Sequence, residues 1–334
     1  MRRLFDRKLL GGLAVALLAA CGGSSAVAGS QPNETHPVKL AFSAAVPQVQ
    51  KVPTIMAMDA LKAQGHDTSI TYLQQSEDPV QAVVRGDDNF GSAATSTVFA
   101  AIAQGIPVKA ILQAQRPDYV LEAPVSVTSP AGLDGLRVGI HAQVSSTALY
   151  TALVMQKYPN AKPKILVVPG SANRIRAMVA GQLDASMIQL PDLPTLDKLA
   201  PGKFHDIYDV AKERPDLIDA VIFTRTDLIA SDPTLVKQFI TASLQANRKV
   251  YTDVQGFASE IAKVVPNTTA EQAAVFAKLY TDSKVFPRDG GLLAADVQTI
   301  LKALTDSGLL KQVPAASAAY DRGPLDEVLK AIGK

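Results

Sequence analysis

Two short runs of hydroxyl side chains hold the clearest chemistry in this chain: Thr95-Ser96-Thr97 and Ser145-Ser146-Thr147. Each follows a strand-like stretch and opens a helix-like one. Backbone N–H groups at a helix start are unpaired and the helix dipole is positive there, so both places suit an anion. Ser and Thr are also favoured helix caps, and capping alone accounts for either run. Two facing copies would make an anion clamp. In parallel α/β sheets, ligands gather at the carboxyl ends of strands. By that rule the first half of the chain contributes Ser43, Ala44 and Gln48 beside the first hydroxyl run. The second half contributes His141, Asn173 and Gln189 beside the second. The set is rich in hydroxyls and amides and poor in carboxylates. That favours a small anion over a cation, because a buried cation needs paired carboxylates. His141 could donate a hydrogen bond to such an anion. Arg116 could pair a carboxylate or sulfonate through both prongs of its guanidinium, or be a solvated loop arginine. Arg174 and Arg176, within one helical turn, read as a solvated helix face.

Other chemistry is harder to build from this sequence. The four histidines, His36, His66, His141 and His205, show no metal-ligand spacing, and one cysteine cannot assist them. No metal and no cofactor are expected. No Gly-x-x-x-x-Gly-Lys-Ser/Thr loop is present, so the chain does not hydrolyse ATP itself. No nucleophile, base and orienting group stand together, and the chain is read as a binder rather than an enzyme.

That single cysteine, Cys21, closes a characteristic N-terminus. Arg2, Arg3, Arg7 and Lys8 precede a twelve-residue apolar stretch, Leu9 to Ala20, too short to span a bilayer and laid out like a secretory signal. Leu18-Ala19-Ala20-Cys21 resembles the lipobox of bacterial lipoproteins, which implies cleavage after residue 20 and a lipid thioether on Cys21. Residues 21–37 then form a flexible tether. Without the signal, 29 Lys+Arg face 30 Asp+Glu, a net charge of −1. No clustered basic face points to nucleic acid. The mature chain is therefore expected to be exported and anchored at the outer face of the cytoplasmic membrane or in the periplasm.

From Val38 onward, strand-like and helix-like segments alternate, the pattern of a parallel α/β sheet. Strands are predicted at Val38 to Phe42, Ile70 to Leu73, Phe90 to Ala94 and Val108 to Leu112, with helices between them. A second copy of the order starts near Leu133, with strands at Leu136 to Ile140, Ile165 to Val168 and Ala185 to Ile188. The copies also share residues. Ala82-Val83-Val84-Arg85-Gly86 is followed by Asn89, and Ala177-Met178-Val179-Ala180-Gly181 by Asp184. The glycines suit helix ends, and Asn or Asp suits a tight turn into the next strand. After Phe223 the pattern becomes helical, beginning with an amphipathic helix over Pro233 to Val250.

These features resemble the substrate-binding proteins of bacterial ABC importers, in the group that binds sulfonates, taurine, nitrate and pyrimidines. Leu133-Asp134-Gly135-Leu136-Arg137-Val138-Gly139-Ile140 is similar to that group's start of the second lobe. Gly181 to Asp184 matches its Gly-x-x-Asp turn, and Gly86 to Asn89 departs from it by one residue. Ala101 to Lys109 looks like the segment leading to the hinge, and Asp232-Pro233 like the return to lobe one. The resemblance implies a two-lobed periplasmic-binding-protein-like α/β fold of type II. Each lobe would be a mainly parallel sheet flanked by helices, with a helical C-terminal tail on lobe one. Lobe one is expected over 38–124 and again over 224–334, and lobe two over 125–223. Hinges are expected near Glu122 to Val127 and Ile222 to Thr226. The implied role is a monomeric receptor that closes on a small sulfonate- or carboxylate-like anion and delivers it to a membrane permease. A surface sensor built on the same fold is a second reading. A pyrimidine-precursor synthase is a third, and the cysteine-rich motif of that group is missing here.

Overall fold

The alternating segments pair into two sheets in the computed structural model, which describes residues 37–333. The expected signal peptide, almost all of the tether and Cys21 lie outside the described residues. β1 (Val38–Ser43) leads through a 3-10 turn (Val49–Lys51) into α1 (Val52–Ala63). β2 (Thr68–Leu73), α2 (Asp78–Arg85), β3 (Phe90–Ala94), α3 (Thr95–Ala103) and β4 (Val108–Gln115) follow. Next come β5 (Tyr119–Pro124), β6 (Arg137–Ile140), α4 (Ser146–Lys157), β7 (Lys164–Val167), α5 (Ser171–Val179) and β8 (Ala185–Gln189). α6 (Leu193–Leu199), β9 (Phe204–Asp209) and the short α7 (Val210–Glu213) complete this half, and β10 (Ala220–Arg225) returns the chain. The remainder is helical: α8 (Thr226–Ser231), α9 (Pro233–Thr252), α10 (Val254–Val264), α11 (Ala270–Asp282), α12 (Ala294–Asp306), α13 (Ala316–Ala319) and α14 (Gly323–Ile332).

The strand orders are β2-β1-β3-β10-β4 and β7-β6-β8-β5-β9. β1 and β6 each pair in parallel with both neighbours. β10 runs antiparallel between β3 and β4, and β5 antiparallel between β8 and β9. The two orders are one topology used twice, and the reversed strand in each sheet is the one that has just arrived from the other. The chain thus crosses at 116–118 and at 210–219, not at the hinges expected from the sequence. β5 belongs to the second sheet and β10 to the first. Ala220-Val221-Ile222-Phe223 is apolar without alternation because both faces are covered. Such a run does not reveal which sheet it joins.

The internal repeat has a structural cause. Gly86 and Gly181 end their helices at φ 79° and 66°, where a side chain would be strained. Asn89 and Asp184 then do more than turn the chain. Asn89 Oδ1 accepts the Lys39 N–H at 2.9 Å, and the Asn89 N–H donates to the Lys39 carbonyl at 3.0 Å. Asp184 repeats both bonds with Arg137, at 2.7 and 2.8 Å. Each residue clips the third strand of its lobe to the first. Asp184 also takes the Arg137 guanidinium through both oxygens, at 2.9 and 2.7 Å, and this pairing holds its carboxyl below the usual range.

The apolar stripe of α9, with Leu235, Val236, Phe239, Ile240 and Leu244 all buried, lies on the first sheet and α1. Phe239 stacks on Phe90 of β3, with ring centroids 4.1 Å apart. The tail is not confined to the first lobe. Val297, Ile300, Leu301 and Leu304 of α12 share one buried cluster with Leu149, Tyr150 and Val154 of α4. That cluster also holds Val98 and Phe99 of α3, so the lobes meet across apolar surface and stand closed on one another.

Replacing Asp184 by Ala removes a doubly bonded acceptor and is expected to lower unfolding stability by about 1–3 kcal/mol. Asp184→Asn, which keeps the acceptor for the Arg137 N–H, should cost less than half as much. Phe239→Ala should cost about 3–5 kcal/mol by emptying the stack on β3. Urea denaturation of the three variants checks the order.

Candidate functional site

The carboxyl ends of the forward strands, and the amino ends of the reversed β5 and β10, lie toward the two crossings, and each crossing carries one buried aspartate. Asp118 is fully buried between β4 and β5, and Asp219, 5% exposed, immediately precedes β10. Neither was visible from the sequence as a site residue. Asp118 accepts hydrogen bonds from the Tyr280 hydroxyl at 2.6 Å and from Gln189 Nε2 at 3.2 and 3.3 Å. Asp219 accepts from the Tyr150 hydroxyl at 2.6 Å and from Gln115 Nε2 at 2.7 Å, and Ser146 also donates to it. Gln115 Nε2 stands 3.5 Å from Asp118 as well, so one amide joins the two carboxylates. Tyr280 and Gln115 come from the first-lobe side, whereas Gln189, Tyr150 and Ser146 come from the second. Each crossing is therefore gripped from both lobes.

Burial governs the charge states. It raises the Asp118 carboxyl to about 7, helped by the neighbouring Asp219 charge and opposed by the bonds from Tyr280 and Gln189. Asp219 is raised for the same first reason. Lys51, 6% exposed at the end of the 3-10 turn, is pushed down by burial and held up by the charges of Asp219 and Asp118. Its ammonium lies 5.7 Å over the Phe42 ring. The acid-poor cleft expected from the sequence is thus corrected: one cation and two carboxylates meet between the lobes.

The two hydroxyl runs behave differently. Ser145 caps α4, accepting the Ala148 N–H at 3.3 Å while donating to the Ala142 carbonyl. Thr147 accepts the His141 N–H at 2.8 Å. Both serve the local loop, so the capping alternative holds for them. Ser146, buried like its two neighbours, reaches the protein's own Asp219 carboxylate. In the first run, Thr97 donates to the Val144 carbonyl at 3.1 Å, a direct bond from lobe to lobe. Thr95 Oγ1 and Ser96 Oγ are buried with no partner. The Thr95 N–H donates to the Asp219 carbonyl at 2.9 Å, which sets this run beside the second crossing.

The remaining expected residues divide. Gln189, at the end of β8, faces the first crossing through its bonds to Asp118, whereas Ala44 is buried in the apolar core of the first lobe, Ser43 is half-buried at the end of β1, and half-buried Gln48 accepts from Gln50. His141 Nδ1 accepts the Gly170 N–H at 3.0 Å, and burial, with Arg174 nearby, lowers its pKa. The ring is neutral and holds the loop before α5. Asn173 is exposed and bonded to the Pro169 carbonyl, outside the cleft. Arg116 acts electrostatically on Tyr251 and Asp296 of the tail. Arg174, read as solvated, is 2% exposed and donates to Ser186 Oγ and the Met187 carbonyl. At the outer lip of the cleft a cavity of about 640 Å³ lies among Val80, Val84, Thr97, Ala101, Ile106 and Val144.

Lys51, Gln115, Asp118, Tyr150, Asp219 and Tyr280 escaped the sequence reading because Lys, Asp and Gln are usually exposed, Tyr is often so, and nothing local marks these six as buried together. One signal existed. The tripeptide Arg-Pro-Asp occurs at 116–118 and again at 214–216, once in each crossing, but only the first copy contains a buried acid; Asp216 of the second, three residues before Asp219, pairs with Arg214. Among the described residues, no group of three or more His, Cys, Asp or Glu is placed to hold a metal ion, and no helix is long and apolar enough to cross a membrane.

Two sheets of one topology, joined by two crossings beneath a shared polar centre, define a periplasmic-binding-protein fold. The chain belongs to the NMT1/THI5-like family, whose match spans residues 61–253. Several solved structures are similar to it. The ligand-binding component of an ABC-type import system from Staphylococcus aureus, with zinc bound, has TM-score 0.74 and 13% identity over 88% of this chain and 99% of that one. The alkanesulfonate-binding protein SsuA from Xanthomonas axonopodis pv. citri, bound to MOPS, has TM-score 0.68 and 18% identity over 85% and 98%. The periplasmic nitrate-binding protein NrtA from Synechocystis PCC 6803 has TM-score 0.68 and 12% identity over 90% of each chain. At these identities the likeness concerns the fold. No curated protein matches the sequence.

The raised carboxyls give a pH prediction. Asp118 and Glu122, the latter also lifted to about 7 by burial and by Asp206, bind protons in the folded chain that the unfolded chain has already released. Their stabilising contribution is complete below the unfolded carboxyl values, and it is lost as pH rises through 7. The thermal midpoint should therefore fall between about pH 5 and pH 8. The pair Asp118→Asn and Glu122→Gln should flatten that slope relative to the parent. An unchanged slope would show that neither carboxyl holds the proton.

Proposed function

We propose that this protein is the exported, lipid-anchored solute-binding component of an ABC importer. It captures a small organic solute between its lobes and delivers it to a membrane permease as a monomer. The observation that carries the reading is the double crossing. Each linker brings a buried carboxylate to the place where the lobes meet, and groups of both lobes hold it. A solute bound there touches both lobes at once, so it favours the closed arrangement over the open one through contacts that only closure provides. Family membership and the fold support the same role, and the lipobox-like Leu18 to Cys21 supports export and anchoring. A sulfonate- or carboxylate-like group finds its best partners at Lys51 and the start of α3, where Thr95 and Ser96 stand.

Two measurements test this. Titration with sulfonates, carboxylates, nitrate and pyrimidines should stabilise the protein, by about 2.7 kcal/mol at a hundredfold excess over Kd for the true ligand. Silence across all four classes would argue against a receptor. Cys21→Ser should move the protein from the membrane to the soluble fraction of cells, because the acyl chains proposed on that thiol are then missing.

A further inference from the structure

The two lobes share one topology but not one kind of edge. β2 and β7 are equivalent outer strands, pairing in parallel with β1 and β6. Ile70 and Tyr72 of β2 pack against the apolar core of the first lobe. β7 has no such cover: all four of its residues are exposed, Ile165, Leu166 and Val167 by 43%, 39% and 45%. Single apolar side chains on a surface are ordinary, but three in succession on an open strand edge are a pairing template.

The backbone of that edge is open as well. The Lys164 N–H donates to the Leu136 carbonyl at 2.7 Å, and the Val168 N–H to the Ile140 carbonyl at 2.8 Å. Alternate residues of a parallel strand face the same neighbour, so Ile165 and Val167 turn N–H and C=O away from β6. Among the described residues no strand lies beyond β7 to receive them.

The side chains divide by face. Val168 packs with the buried Ile175, Ala177 and Met178 of α5, so Leu166 and Lys164 lie on that side and Ile165 and Val167 on the other. On the α5 side a cavity of about 640 Å³ opens among Leu166, Asn173, Arg176 and Gln182. Lys162, Lys164 and Arg176 are exposed, and none forms an ion pair among the described residues. Two neighbouring acids are already engaged: Asp184 holds the Arg137 guanidinium, and Asp134 accepts the Lys162 N–H. Residues 161–170 contain no acid. A second copy is therefore a poor occupant, because pairing two β7 edges sets the lysines of both chains together without an acid. An anionic lipid surface meets the cations but supplies no strand to the outward groups of Ile165 and Val167.

We propose that β7 is the acceptor edge for an extended segment of another protein, one that alternates acidic and β-branched residues. Its backbone continues the second sheet by bonding Ile165 and Val167. Its acids meet Lys164 and Arg176 on the α5 side, and its apolar side chains cover Ile165 and Val167 on the other. The site lies outside the cleft and does not depend on what the cleft binds.

The Cys21→Ser protein, on which no acyl chain contributes, is the material for the test. The probes are a short blocked peptide alternating valine and glutamate and its twin with lysine for glutamate, followed by fluorescence anisotropy. The glutamate peptide should bind, weaken with added salt and slow amide hydrogen exchange at Ile165 and Val167. Val167→Pro removes an outward N–H while keeping the bonds to β6, and should weaken the peptide about tenfold, the scale of one or two backbone hydrogen bonds. Lys164→Glu combined with Arg176→Glu, both at exposed positions, should reverse the preference between the twins. This pair and the exchange measurement carry the test if the proline variant does not fold. No binding of the glutamate peptide at millimolar concentration overturns the inference, as does equal or tighter binding of the lysine twin by the parent. Two other occupants would also overturn it. One is a dimer in sedimentation velocity that Val167→Pro abolishes. The other is binding to phosphatidylglycerol vesicles that Lys164→Glu abolishes, without binding of the peptide.

Discussion

Two carboxylates buried at the crossings organise this molecule. An aspartate taken out of water must be supplied with donors, and here the donors come from opposite lobes. Tyr280 and Gln189 meet on Asp118, while Gln115 and Tyr150 meet on Asp219. Bringing the lobes apart would strip partners from both acids at once. The closed arrangement is thus coupled to the linkers themselves, and the apolar contact between α3, α4 and α12 adds area to a closure that the polar centre orients.

The repeated topology explains why the crossings converge. Each sheet ends with its reversed strand between two forward ones, so both linkers run along the same boundary and deliver Asp118 and Asp219 side by side. The clips at Asn89 and Asp184 keep the third strand of each lobe in register with the first. That register fixes where α3 and α4 begin. A difference of one atom type between the clips matters: the acid of the second lobe can hold the Arg137 guanidinium, while the amide of the first cannot hold a cation in the same way.

The two hydroxyl runs show how one local motif takes several jobs. Ser145 and Thr147 close their own loop, as helix chemistry favours. Ser146 and Thr97 reach beyond it, one to a carboxylate and one to the other lobe. Thr95 Oγ1 and Ser96 Oγ are buried with no partner at all. No spacing rule separates these outcomes, because adjacent residues at a helix start point in different directions and only the surroundings assign a partner.

Much of the fold was legible in the sequence. Alternating apolar runs, helix-ending glycines and the matched segments before Asn89 and Asp184 marked two similar α/β halves, and the stripe on Pro233 to Val250 marked the helix that packs on the first sheet. Those features are local, and local chemistry determines them. The strands β5 and β10, the true crossing points and the polar centre were decided by tertiary structure. Asp118 and Asp219 lie 101 positions apart, and Tyr280 is a further 61 beyond. In sequence each is an ordinary polar residue, expected at the surface. Only the pairing of two sheets removes them from water, and once water is gone each must find its partner across the chain.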